Sequence, residues 1–155
     1  VGAAPSLAPT ESEPAQDQPL QGTTAWYVDD DAPSCAATGA LLQRWGCDVP
    51  LAGGPQAALD LAAPGNAPRL VLLDVRMGAF HGPDLYGDLC ARWQQHPLVV
   101  LVTAERDTAL RRQAAERGWG FLLKPVRPSA LRALISQMLL RQSEAEPSDT
   151  GKLQN

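Results

Sequence analysis

Apolar residues along the chain follow two alternating patterns. TAWYV (24–28), LVLL (70–73), PLVVLV (97–102) and GWGFLL (118–123) are short, nearly unbroken runs, as expected of strands buried on both faces of a sheet. A weaker strand is expected over 48–51. Between the runs, apolar residues recur at helical spacing. The predicted inward faces are Ala37, Leu41 and Trp45; then Ala58, Leu61 and Ala62; then Leu85, Leu89 and Trp93. Leu110, Ala114 and Ala115 follow, and finally Leu131, Leu134, Ile135, Met138 and Leu139. Pro33, Pro55, Pro83 and Pro128 suit first helical turns and Gly46 a helix end. Five strand–helix units in strict alternation predict an α/β fold with a doubly wound, five-stranded parallel sheet. The fourth helix, over 108–117, has a thin apolar face beside Arg106, Arg111, Arg112 and Arg117, and so is the least anchored.

The flanks break the pattern. Residues 1–22, rich in Ala, Pro, Ser, Glu and Gln, predict a disordered linker or an added arm, 23–142 one folded domain, and 143–155 a flexible polar tail. A Pro-rich lead-in suggests a module tethered to something upstream. At 155 residues and 45% apolar content the chain is long enough for one proper core. A net charge of -4 and a pI of 5.1 argue against binding nucleic acid or an anionic membrane. Cys35, Cys47 and Cys90 are odd in number and widely spaced, so neither a disulfide framework nor a zinc site is expected. No apolar run reaches membrane-spanning length and the amino terminus lacks the charged-then-apolar order of a signal peptide, so a cytoplasmic domain is expected. A parent protein could still be membrane-anchored through other parts.

The chemistry gathers at strand ends. Asp29 and Asp30 follow the first strand, Asp74 the third, Thr103 the fourth and Lys124 the fifth. Right-handed crossovers place all these ends on one rim, where open α/β sheets bind ligands. Any one of these residues has a bland reading; Asp74 alone could be a solvated strand-end or capping acid. Carboxylates about 4 Å apart repel by roughly 4 kcal/mol at an effective dielectric near 20, so the cluster calls for a cation. All-oxygen donors with room for water suit Mg²⁺ better than Ca²⁺. Lys124 and Thr103 then offer an ammonium and a hydroxyl to a phosphoryl group, with Asp74 as nucleophile forming an acyl phosphate. His81 and His96 read as solvated surface, Trp45, Trp93 and Trp119 as edge packing, and the arginines of the fourth helix as a solvated face.

The strings VDDD, LVLLDVRM, LVTAE and GFLLKP, in this order across five strand–helix units, resemble the receiver domain of two-component response regulators over residues 23–142. The resemblance implies a flavodoxin-like (βα)5 fold with strand order 2-1-3-4-5. It places Asp29 and Asp30 on the acidic pair, Asp74 on the phosphoaccepting aspartate, Thr103 on the switch hydroxyl and Lys124 on the family's lysine. Arg76 falls where a backbone carbonyl completes the Mg²⁺ shell, and Phe121 on the aromatic switch position. A cis peptide before Pro125 is also implied. Family members often carry proline where Gly78 stands, so a more mobile loop is expected after Asp74. Asp31 is assigned a helix-capping role, and the small Ala104 keeps the phosphoryl pocket open.

The implied function is phosphoryl acceptance from a phosphohistidine onto Asp74 with Mg²⁺, in a domain that is not itself an enzyme beyond assisting its own transfer. The implied partners are a histidine kinase core and a histidine phosphotransfer protein, and dimerisation would use the fourth helix, fifth strand and fifth helix. RPSALRALISQMLLRQ, the WGC after the first helix and the Pro-rich lead-in favour the C-terminal receiver of a hybrid sensor histidine kinase. The alternative is a stand-alone response regulator or the N-terminal receiver of a larger one, although the chain ends soon after its last helix. An Mg²⁺-dependent phosphohydrolase with an aspartyl nucleophile is a different class, but Arg76 stands where its second acid is usually found. The phosphate-cradling patterns of nucleotide-binding modules are absent, and the complete acid, hydroxyl and lysine set speaks against a receiver-like scaffold that never takes phosphate.

Overall fold

The computed structural model describes residues 20–153, with side chains to 142. Residues 1–19, most of the expected arm, and 154–155 lie outside the described residues. The main elements are β1 (Thr24–Val28), α1 (Ala32–Arg44), β2 (Asp48–Gly53), α2 (Pro55–Leu61), β3 (Leu70–Asp74), α3 (Gly82–Trp93), β4 (Leu98–Thr103), α4 (Thr108–Glu116), β5 (Gly120–Leu123) and α5 (Pro128–Leu153). The five strands pair in parallel in the order β2-β1-β3-β4-β5, the flavodoxin-like order.

Period-two alternation divides the strand side chains between two cores. Trp26, Val28, Val71, Leu73, Val99 and Leu101 face α2, α3 and α4. Ala25, Tyr27, Leu70, Leu72, Val100 and Val102 face α1 and α5. With both faces covered, the central strands must be apolar throughout, as LVLL and LVVLV are.

Several expected details are corrected. Ala37 is exposed, and α1 instead buries Cys35, Thr38, Gly39 and Leu42, with Leu41 and Trp45 only partly covered. Small residues let this helix lie close to the sheet: a Cβ at Gly39 would stand 3.2 Å from Ala52 Cβ. Leu61 is 42% exposed, because α2 turns Ala58 and Leu59 inward. Ala115 is exposed as well. Trp93 is core, not edge, meeting Trp26 in a T-shaped pair with centroids 5.0 Å apart. The folded part begins before 23, since Leu20 is fully buried against Cys47 and its carbonyl accepts the Thr23 N–H. At the other end, α5 carries helical backbone past 142 to Leu153.

Among the described residues no helix is long and apolar enough to cross a membrane. All three cysteines are free and buried, and both histidines are exposed.

Candidate functional site

The carboxyl ends of β1, β3, β4 and β5 share one rim, and the ladder itself sets their heights. Asp74 pairs with Val102 in the β3–β4 register and Thr103 with Leu123 in the next. Beyond the last rung, Lys124 N–H donates to the Thr103 carbonyl at 2.8 Å. The Lys124–Pro125 peptide is cis.

The Lys124 ammonium is the centre of this rim. Nζ donates to Asp29 Oδ2 at 2.9 Å and to Asp74 Oδ2 at 3.1 Å, so one cation links the ends of β1, β3 and β5. Asp29 is fully buried at its side chain. Tyr27 Oη donates to its Oδ2 at 2.7 Å and the Asp31 N–H to its Oδ1 at 2.9 Å. Asp30 is exposed beside it. One carboxylate oxygen each from Asp29, Asp30 and Asp74 lies within 4.8 Å of the others. This donor set of three hard oxygens, open on the solvent side at Asp30, fits a small divalent cation such as Mg²⁺.

The two buried acids respond differently to their surroundings. Burial alone would raise Asp29, but hydrogen bonds from Lys124, Tyr27 and the Asp31 backbone together hold its carboxyl below the usual carboxylate range. Asp74 is raised, first by burial and then by Asp29 beside it, with Lys124 opposing. Burial pulls Lys124 down, yet its two carboxylate partners outweigh this and raise it, so the ammonium stays charged. Tyr27 is pushed far above its ordinary value by burial and by Asp29, so its hydroxyl remains a donor.

The loop after Asp74 carries secondary structure of its own. Arg76–Met77 and Phe80–His81 form a short antiparallel ribbon, with Gly78 at φ +62° in its turn and Met77 buried. The Arg76 N–H lies 3.4 Å from Asp74 Oδ1, while its guanidinium turns away to pair with Glu105 at 3.0 Å. Gly82 closes the loop. Its N–H donates to the Val75 carbonyl at 2.7 Å, and an added Cβ would come within 2.6 Å of the Asp74 carbonyl oxygen. Only a residue without a side chain lets α3 start this close to the backbone of Asp74.

Thr103 reaches the rim, buried, with Oγ1 accepting the Glu105 N–H at 3.1 Å rather than bonding to Asp74. Ala104 is exposed. Phe121 lies apart from the acids, half-buried, where it lines a hollow of about 110 Å³ with Arg106, Asp107, Thr108, Arg111 and Leu123. Asp31 caps α1, accepting the Ser34 N–H at 3.1 Å. The sequence reading brought Asp29, Asp30, Asp74 and Lys124 together and missed two contributors. Tyr27 was hidden in an apolar-looking strand, and Gly82, at the end of the loop before Pro83, has no side chain to mark it.

A family model described as the response regulator receiver domain matches residues 26–136. Ethylene receptor 2 of Arabidopsis thaliana is 27% identical over 150 residues, covering 92% of this chain and 19% of the receptor. Transcriptional regulatory protein FixJ of Bradyrhizobium diazoefficiens is 33% identical over 120 residues, covering 77% of this chain and 57% of FixJ. The chain thus spans less than two thirds of the length of these relatives. Among solved structures, full-length FixJ from B. japonicum superposes with a TM-score of 0.69 at 30% identity, over 84% of this chain and 64% of that one. The Vibrio cholerae chemotaxis protein CheY4 shares the fold, with a TM-score of 0.63 at 19% identity over 76% of this chain and 98% of its own.

Proposed function

The chain belongs to the response regulator receiver domain family, and from that premise we propose that it is a phosphoacceptor of two-component signalling. A carboxylate oxygen of Asp74 attacks the phosphorus of a phosphohistidine on a histidine kinase core or a histidine phosphotransfer protein. The new O–P bond forms as the P–N bond breaks, and the released imidazole takes up a proton. The observation that carries this reading is the Lys124 ammonium held between Asp29 and Asp74 at 2.9 and 3.1 Å. It sits where a phosphoryl group on Asp74 would need a positive charge, without having to be recruited.

Asp29, Asp30 and Asp74, with the Arg76 carbonyl, would hold Mg²⁺, which supplies charge neutralisation for the phosphoryl oxygens. In the phosphorylated state the Thr103 hydroxyl leaves the Glu105 N–H and turns to the phosphoryl group. The hollow beside Phe121 gives that ring room to follow, which biases the surface of α4, β5 and α5 towards partners or a second copy.

The decisive experiment is labelling with acetyl phosphate and Mg²⁺, read by intact mass. The wild type gains one phosphoryl group and Asp74→Ala gains none; equal labelling of the two would end the assignment.

The wider setting we favour is the C-terminal receiver of a hybrid sensor histidine kinase, supported by the likeness to Ethylene receptor 2 over 92% of the chain. The likeness to FixJ supports the second reading, a receiver within a transcriptional regulator. The reading frame upstream of Val1 distinguishes them, since the first requires a histidine kinase core there.

A further inference from the structure

Tyr27 is a buried titratable side chain at the rim for which the phosphoacceptor reading has no task. It is 1% exposed, on the face of β1 covered by α1 and α5. The packed strand delivers its hydroxyl beneath the acid pair. Tyr27 Oη and Lys124 Nζ both donate to Asp29 Oδ2, at 2.7 and 2.9 Å, and the Asp31 N–H takes Oδ1 at 2.9 Å. A carboxylate offers about four acceptor positions. Three are therefore filled, and the remaining one lies on Oδ1.

We propose that Tyr27 is a positioning residue for the cation site. By holding Oδ2 from the core side, its hydroxyl fixes the rotation of the Asp29 carboxylate and leaves Oδ1 for the ion. It also keeps this fully buried carboxylate partnered when Lys124 turns towards a phosphoryl group on Asp74. The donor is placed in advance by packing of the ring, so its orientation does not depend on the ion or on the lysine. The inference rests on the reading of Asp29, Asp30 and Asp74 as Mg²⁺ ligands, and it deepens that reading.

The test is Tyr27→Phe in the full chain, which keeps the ring and removes only the donor. Mg²⁺ binding by calorimetry should weaken about tenfold, as expected when a hydrogen-bond partner of a metal ligand is lost. A second measurement needs no substitution. The chain has two tyrosines, so uniform 3-fluorotyrosine labelling gives two fluorine resonances. Tyr86 bonds to the Pro97 carbonyl, away from the acids, and serves as the internal reference. On Mg²⁺ titration the Tyr27 resonance should shift with the calorimetric Kd while that of Tyr86 stays. An unchanged Kd in a folded Tyr27→Phe, or a Tyr27 resonance indifferent to Mg²⁺, overturns the proposal and leaves the Mg²⁺ reading standing. A wild type that does not bind Mg²⁺ removes the reading and the proposal together.

Discussion

Replacing Lys124 by methionine keeps most of the side-chain volume and removes the charge that joins Asp29 to Asp74. At about 3 Å and an effective dielectric near 20, each ammonium–carboxylate contact is worth roughly 5 kcal/mol before desolvation. Desolvation of the partners offsets much of this, so the net loss is set by what is left behind: a carboxylate with no exposed side-chain surface and a second acid beside it. Removing one partner of a buried pair costs about 3–5 kcal/mol. Because the Lys124 side chain is 24% exposed, the lower end, about 3 kcal/mol, is expected. Urea unfolding in EDTA at about pH 7 measures it directly.

Two changes of condition should return part of that loss. Mg²⁺ at about 100 times the wild-type Kd stabilises the wild type by about 2.7 kcal/mol, and the same Mg²⁺ concentration should stabilise the variant by more, because its unopposed acids bind the ion more tightly. Acid should also help. Without Lys124, which lowers both acids, the folded-state pKa values of Asp29 and Asp74 should move up from where they stand in the wild type. Relative to wild type, a group raised in this way favours the folded state at low pH and loses that contribution as pH rises through its folded pKa. The deficit of Lys124→Met relative to wild type should therefore shrink between about pH 7 and about pH 5. A variant as stable as wild type in EDTA, or a deficit indifferent to both Mg²⁺ and pH, would refute the idea that this ammonium is what the acids depend on.

Gly82→Ala should destabilise by about 1–3 kcal/mol or more, because its Cβ would meet the backbone of Asp74 and Val75 at 2.6 and 3.1 Å, where no side chain can yield. It should also slow acetyl phosphate labelling of Asp74, and wild-type values in both assays would count against the close approach. Leu20→Ala should cost about 2–5 kcal/mol in urea unfolding, since Leu20 is fully buried; a change within about 0.5 kcal/mol would place it outside the fold.

The strands and the rim were legible because their signals are simple. Four apolar residues running into Asp74 admit few structures besides a central parallel strand, and the ends of such strands share a side by topology. Helix phase was less legible. Counting apolar residues favoured Ala37, Leu41 and Trp45, whereas α1 seats itself through Cys35, Thr38 and Gly39, whose value is their smallness against the sheet. Leu20 was hidden by its Pro- and Gln-rich surroundings, a composition that describes the segment and not the single side chain reaching the core. Tyr27 and Gly82 escaped for a related reason. The one matters through its hydroxyl and the other through an absent Cβ, and neither changes the hydropathy pattern.

Proline opens α1, α2, α3 and α5 in the first helical turn, at Pro33, Pro55, Pro83 and Pro128. Each ring restricts the denatured chain at a point where the native backbone already has the required angle, and a compatible proline of this kind is worth about 0.4–1 kcal/mol. That contribution arises in the unfolded ensemble and involves no charge. Occupancy of the rim, rearrangement of Lys124 or ionisation of the acids leaves it untouched. The domain can therefore carry an electrostatically costly cluster at its strand ends while part of its stability is stored where signalling chemistry does not reach.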